Sequence, residues 1–140
     1  MTWQVWALLS ALFAALTAIF AKVGVTDVNS DLATLIRTAV VFVALSAVLL
    51  LTGQLKALPQ IGGRTYLFLL LSGLGTGASW LCYFRALKIG QASQVAPIDK
   101  LSVVFVAILA TLFLGEKLSP VNWAGVGLVV LGTVLVAIRS

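Results

Sequence analysis

"QVAPIDKLSVVFVAILATLFL", residues 94–114, joins a charged pair to a run fit for lipid. After Asp99 and Lys100, residues 101–114 hold nothing more polar than Ser102 and Thr111. A helix that began after Lys100 would hold only about 14 apolar residues, short of the roughly 20 that cross a 30 Å hydrocarbon layer. The helix must therefore start near Gln94. That places Asp99 and Lys100 roughly 7–9 Å inside its end at 1.5 Å per residue. Pro97 lacks a backbone donor and is expected to open or kink the helix beside the pair.

Four further runs have the same character: about 3–21, 32–52, 66–87 and 121–138. Each is close to the length of one membrane crossing. They are continuous, without the period-2 alternation of barrel strands. Composition agrees: 61% of residues are apolar and 9% are charged, against about 25% charged in a soluble domain. The expectation is an all-α integral membrane protein, a bundle of five transmembrane helices forming one domain over residues 1–140. Asn29-Ser30-Asp31 offers N-caps for the second helix, and Gly53 closes it. Gly90 stands where the third helix would need a C′ glycine. Gly115 ends the fourth, and Ser119-Pro120 supplies a cap with proline at N1 for the fifth. The N-terminal run has no basic n-region and no clear cleavage site, so it is expected to stay as a helix and not to be removed as a signal peptide.

Composition also excludes chemistry. There is no His, so His-based catalysis and His metal sites are out. An intramembrane aspartyl dyad needs two acids at depth, and only Asp99 is available. No enzyme, cofactor or metal site is expected. The single Cys82 permits no internal disulfide. A net charge of +5 comes from scattered Lys and Arg without a basic stripe, so no nucleic-acid partner is expected. Gly73-x-Gly75-x-Gly77 imitates a dinucleotide loop, but it lies mid-helix without the strand that motif requires. Gly73 and Gly77 read better as a small-residue packing surface, as do Gly125 and Gly132 on the fifth helix, a candidate dimer contact.

Five spans put the termini on opposite faces. One face carries the N-terminus, Lys56, Arg64 and Lys117; the other carries Lys22, Arg85, Lys88 and Arg139, with Arg37 and Lys100 as further members if they are not inside the bundle. The excess of basic residues favours N-out, C-in only weakly. A bias this small is compatible with insertion both ways, and two opposed copies would build an inverted-repeat pair. An antiparallel homodimer, a parallel one and a fixed single orientation all stay open.

Residues 83–137 resemble the EamA-type domain of the drug/metabolite transporter superfamily. The features that carry the likeness are Ala86-Leu87-Lys88, Ala92-Ser93, Pro97, the Phe113-Leu114-Gly115-Glu116-Lys117-Leu118 stretch, Trp123-x-Gly125 and Gly132. "FAALTAIFAKVG" and "LATLIRTAVVF" extend it over the first half. Many members carry two such domains and ten helices; one domain resembles the five-helix single-domain branch, half of a ten-helix inverted-repeat transporter. The resemblance implies pairing and secondary transport of a small metabolite or drug across the inner membrane.

Six residues are candidates for substrate binding or proton coupling. Asp99 is the only acid at depth and Lys100 adjoins it; either one of the two faces a cavity and meets substrate or proton, or both satisfy helix ends or pair with neighbours. Arg37 shares a helix face with Thr34, Thr38 and Val41. It either clamps an anion or snorkels, or pairs with Asp99 or Asp31. Arg85 stands among Trp80, Tyr83 and Phe84. This is either an aromatic belt with a positive anchor, or Trp80 and Tyr83 line the substrate path while Arg85 pairs with Asp99. The positive balance mildly favours a substrate bearing carboxylate or phosphate. A small-multidrug-resistance-like exporter of lipophilic cations is an alternative, disfavoured because residues 3–21 contain no acid. A non-transporting subunit of a larger membrane complex is another. Substrate, direction and coupling ion are not written in the sequence.

Overall fold

The computed structural model describes residues 2–138; Met1, Arg139 and Ser140 lie outside the described residues, Arg139 being one of the charges weighed for topology. Every regular element among them is helical: α1 Trp3–Gly24, α2 Ser30–Leu51, a 3-10 segment Gln54–Gln60, α3 Gly63–Ile89, α4 Ala92–Asp99, α5 Ser102–Leu109, a π-helical turn Ala110–Leu114, and α6 Pro120–Ala137. Five stretches are long and apolar enough to cross a membrane: α1, α2, α3, the joined stretch Ala92–Leu114, and α6. The chain is a multi-pass membrane protein.

The helix ends follow from local chemistry. Asn29 caps α2, its side chain accepting from the N–H of Asp31 at 2.8 Å and of Leu32 at 3.3 Å. Ser119 caps α6 by accepting from the Asn122 N–H at 3.2 Å, with Pro120 at the first helical position. Gly53 and Gly115 turn the chain after α2 and after the π-helical turn with φ of 70° and 68°, a left-handed conformation in which a Cβ is strained. At Gly115 this turn lets the Glu116 N–H reach back to the Ala110 carbonyl at 3.2 Å. Gly90 follows α3 without adopting that conformation, a departure from the C′ role expected of it.

The fourth span is the main departure from expectation. The predicted continuous helix 94–114 begins instead at Ala92, is interrupted once at Lys100–Leu101, and passes into a π-helical turn at Ala110. Pro97 cannot donate to the Ser93 carbonyl, which weakens the ladder at this point. Just beyond it the bonds tighten to i→i−3: Lys100 N–H to Pro97 O and Leu101 N–H to Ile98 O, both 3.0 Å, then Val103 to Lys100 and Val104 to Leu101 at 3.0 and 2.9 Å. The interruption falls on Lys100–Leu101, directly after Asp99 and about 12 Å from the start of the span.

Tertiary contacts divide the chain into two units, Met1–Ile19 with Ile89–Ser140, and Phe20–Lys88. In the first, α4 and α5 pack on α6, and Ala107, Ala110 and Thr133 are buried. The Thr133 hydroxyl donates to the Pro97 carbonyl at 3.5 Å, tying α6 to the interrupted span at the outer limit of hydrogen-bond distance. In the second unit Val25, Thr34, Phe84 and Leu87 are buried. Most other large apolar side chains are uncovered; Leu51 is 88% and Phe113 80% exposed. Each such side chain left in water would forgo about 1.5–3 kcal/mol, so this surface belongs in lipid or against another protein.

Candidate functional site

Charged and polar side chains gather in three places. The first is one end of the Phe20–Lys88 unit, where α1 ends, α2 begins and α3 ends. Lys22 Nζ donates to the Leu87 carbonyl at 2.6 Å, and Lys88 Nζ to the Val28 carbonyl at 2.6 Å. Arg85 grips Asp31 with two parallel bonds, Nε to Oδ1 at 2.9 Å and Nη2 to Oδ2 at 2.8 Å. Lys22 satisfies a carbonyl in the last turn of α3, Lys88 one in the connection between α1 and α2, and a fork-to-fork pair sets the register of α3 against α2. Arg85 thus has Asp31 as its carboxylate, where the sequence reading offered Asp99. The reason is topological: the start of α2 and the last turns of α3 meet at this end, across 54 residues of chain. Arg85 and Asp31 are both exposed, so the pair stabilises the unit modestly while it fixes the geometry of the helix ends.

The second place lies deeper in the same unit. Arg37 is seven residues past Ser30, about 10 Å into α2. Its guanidinium carbon sits 4.0 Å from the Trp80 ring centroid and 5.6 Å from that of Phe84. Trp80 and Phe84 are four residues apart on α3 and present one face to α2. Tyr83 stands edge-on to Phe84, with centroids 6.4 Å apart and planes at 66°. The aromatic cluster expected around Arg85 is therefore organised around Arg37. Among the described residues Arg37 makes neither an ion pair nor a hydrogen bond, in contrast to the partners Asp99 and Asp31 considered for it. Cation–π stacking recovers about 2 kcal/mol when desolvated. Insertion of an arginine at a span's centre costs about 2.5–3.5 kcal/mol, so the charge is only partly compensated. The neighbouring hydroxyls are committed to their own helix: Thr34 donates to the Ser30 carbonyl at 2.9 Å and Thr38 to the Thr34 carbonyl at 2.8 Å.

The third place, in the other unit, is the interruption of the fourth span. Lys100 Nζ lies 3.4 Å from Asp99 Oδ2, a loose contact between sequence neighbours. Asp99 is half-buried and Lys100 exposed. No group of three or more His, Cys, Asp or Glu able to hold a metal ion occurs among the described residues. A Cβ placed on Gly73, Gly77, Gly125 or Gly132 would meet no heavy atom within 4 Å, so these small-residue faces are open.

Sequence reasoning named Arg37, Trp80 and Arg85 but assigned them the wrong neighbours, and it missed Phe84 as Arg37's second ring. The four-residue spacing of Trp80 and Phe84 was the available signal. It also missed Lys22 and Lys88 as clasps, for which no local signal exists.

Five apolar spans, all helical, define a multi-pass membrane fold. The chain belongs to the EamA-like transporter family, whose pattern covers residues 1–138; it is a membrane transporter. It is 61% identical over 137 residues to a protein described as an uncharacterized transporter in the cobO 3' region of Sinorhizobium sp, covering 98% of this chain and 97% of that relative. No solved structure matches it.

Proposed function

We propose that the protein is a permease that carries a small metabolite across the cell's inner membrane by alternating access, as a homodimer, with Asp99 as the proton-coupling acid. The observation that carries this reading is the interruption at Lys100–Leu101, immediately after Asp99. Secondary transporters use broken spans to bring main-chain groups and charges to substrate and coupling ion. Irregular backbone at membrane depth is tolerated only where protein or a water-filled cavity covers it. An ionisable residue at such a break is functional by default. Five spans are half of a ten-helix transporter, and the uncovered apolar faces, with the open glycine surfaces of α3 and α6, offer a second copy a place to pack.

Reconstitution tests it. Native mass spectrometry from nanodiscs is expected to give two copies per particle, and proteoliposomes are expected to take up substrate faster under an imposed proton gradient. A strict monomer, or flux indifferent to the gradient, would contradict the dimer or the coupling respectively. Protease access to a C-terminal tag from one or both sides decides between parallel and opposed copies.

A further inference from the structure

We propose that Arg37 is a binding group for a monovalent organic oxyanion, a carboxylate foremost, which meets the guanidinium edge while Trp80 holds its face. This rests on the transporter reading above and names the class of its substrate.

The argument begins from how the cations of the Phe20–Lys88 unit are used. Arg85 is matched by Asp31, and Lys22 and Lys88 each donate to a main-chain carbonyl. Arg64 lies in the first turn of α3, 5.9 Å above Phe68. Arg37 is the guanidinium placed well inside a span with no anion against it among the described residues. A buried or lipid-facing cation of that kind calls for a counter-charge.

Stacking decides which part of Arg37 remains usable. The indole lies 4.0 Å from the guanidinium carbon and so covers one face of the plane. The N–H bonds lie in that plane and point outward from its edge. A carboxylate approaches along the same plane to form two parallel bonds, so the aromatic contact and the anion do not compete. The stack also restricts the side chain, which lowers the ordering cost of binding. Thr34 and Thr38 have their hydroxyl protons engaged with their own helix and have none to offer an anion. Arg37 is thus the donor on this face. One guanidinium with no anion against it among the described residues matches one negative charge, which favours a monoanion over a dianion. The half-buried Trp80 and buried Phe84 make the surroundings apolar, which favours an organic anion over an inorganic one.

A phospholipid headgroup is also a monovalent oxyanion, and the test separates the two sources. Saturable binding of benzoate is measured on purified protein in nanodiscs of neutral phosphatidylcholine, with benzamide as the uncharged isostere. Nanodiscs containing phosphatidylglycerol form a second arm. Hydrogen bonds to a charged group at this strength predict that Arg37→Gln weakens benzoate by about tenfold to a hundredfold. Arg37→Lys keeps the charge, loses the fork and is expected to weaken benzoate as well, with helical content by circular dichroism unchanged in both. Benzoate displaced by phosphatidylglycerol in wild type but not in Arg37→Gln would assign the site to lipid and overturn the substrate proposal. So would equal binding of benzoate and benzamide, or wild-type affinity in Arg37→Gln. Benzoate binding that depends on Arg37, in a protein that carries no substrate in liposomes, would uphold this site and overturn the transport reading instead.

Discussion

Arg85 and Arg37 occupy the same three-helix unit and meet opposite fates. Arg85, near the end of α3, is closed by the two oxygens of Asp31, beside two lysines spent on main-chain carbonyls. Arg37, about 10 Å into α2, has aromatic rings where Arg85 has a carboxylate. The difference shows how a nearly charge-free chain distributes its few ions. Where α1 and α3 end against the start of α2, Lys22, Arg85 and Lys88 are each committed to a partner within the chain, and the result is a clasp. Inside the spans the partnership is incomplete, with Arg37 on a ring and Asp99 loosely set against the adjacent Lys100. Charges that hold structure and charges held available are separated by depth.

That separation can be broken by mutation, and the largest effect is expected at the interrupted span. Asp99→Asn is expected to abolish proton-driven uptake in proteoliposomes while the protein inserts in normal amount; flux at wild-type level would remove Asp99 from the mechanism. Next comes Arg37→Gln, where benzoate affinity should fall by about tenfold or more, read from binding isotherms. Trp80→Leu takes away the platform but leaves the fork. A loss of about 0.5–2 kcal/mol, at most a few tens of fold in the same assay, is expected because the guanidinium loses its stacked orientation. Asp31→Asn sharpens the comparison from the other side. It should lower the melting temperature and leave benzoate affinity in place, and Arg85→Gln on top of it should add little further. The smallest effect is expected from Thr133→Val, about 0.5 kcal/mol in thermal unfolding, since its bond to Pro97 is at the limit of useful length.

The spans and their caps were legible in the sequence because they rest on local rules: run length, the Asn29 and Ser119 caps, Pro120, and the left-handed Gly53 and Gly115. Pro97 announced trouble in the fourth span, and length arithmetic put Asp99 inside it. The extent of the break was not legible. A proline removes one donor, but whether the ladder then bends or re-pairs at i→i−3 depends on what packs beside it, here α6 through Thr133. The π-helical turn at 110–114 had no signature at all in an all-apolar stretch. Arg85 illustrates the wider limit. Its partner is 54 residues away, and no local pattern chooses among Asp31, Asp99 and solvent. Gly90 shows the converse, a residue type suited to a left-handed cap that the chain does not use as one.

The most direct test sets the two arginines side by side. Benzoate affinity and melting temperature are measured for wild type, Arg37→Gln and Arg85→Gln in the same neutral nanodiscs. The division of labour predicts that Arg37→Gln loses affinity without a lower melting temperature, and that Arg85→Gln melts lower without losing affinity. Both variants moving together in affinity, or neither moving, would contradict it.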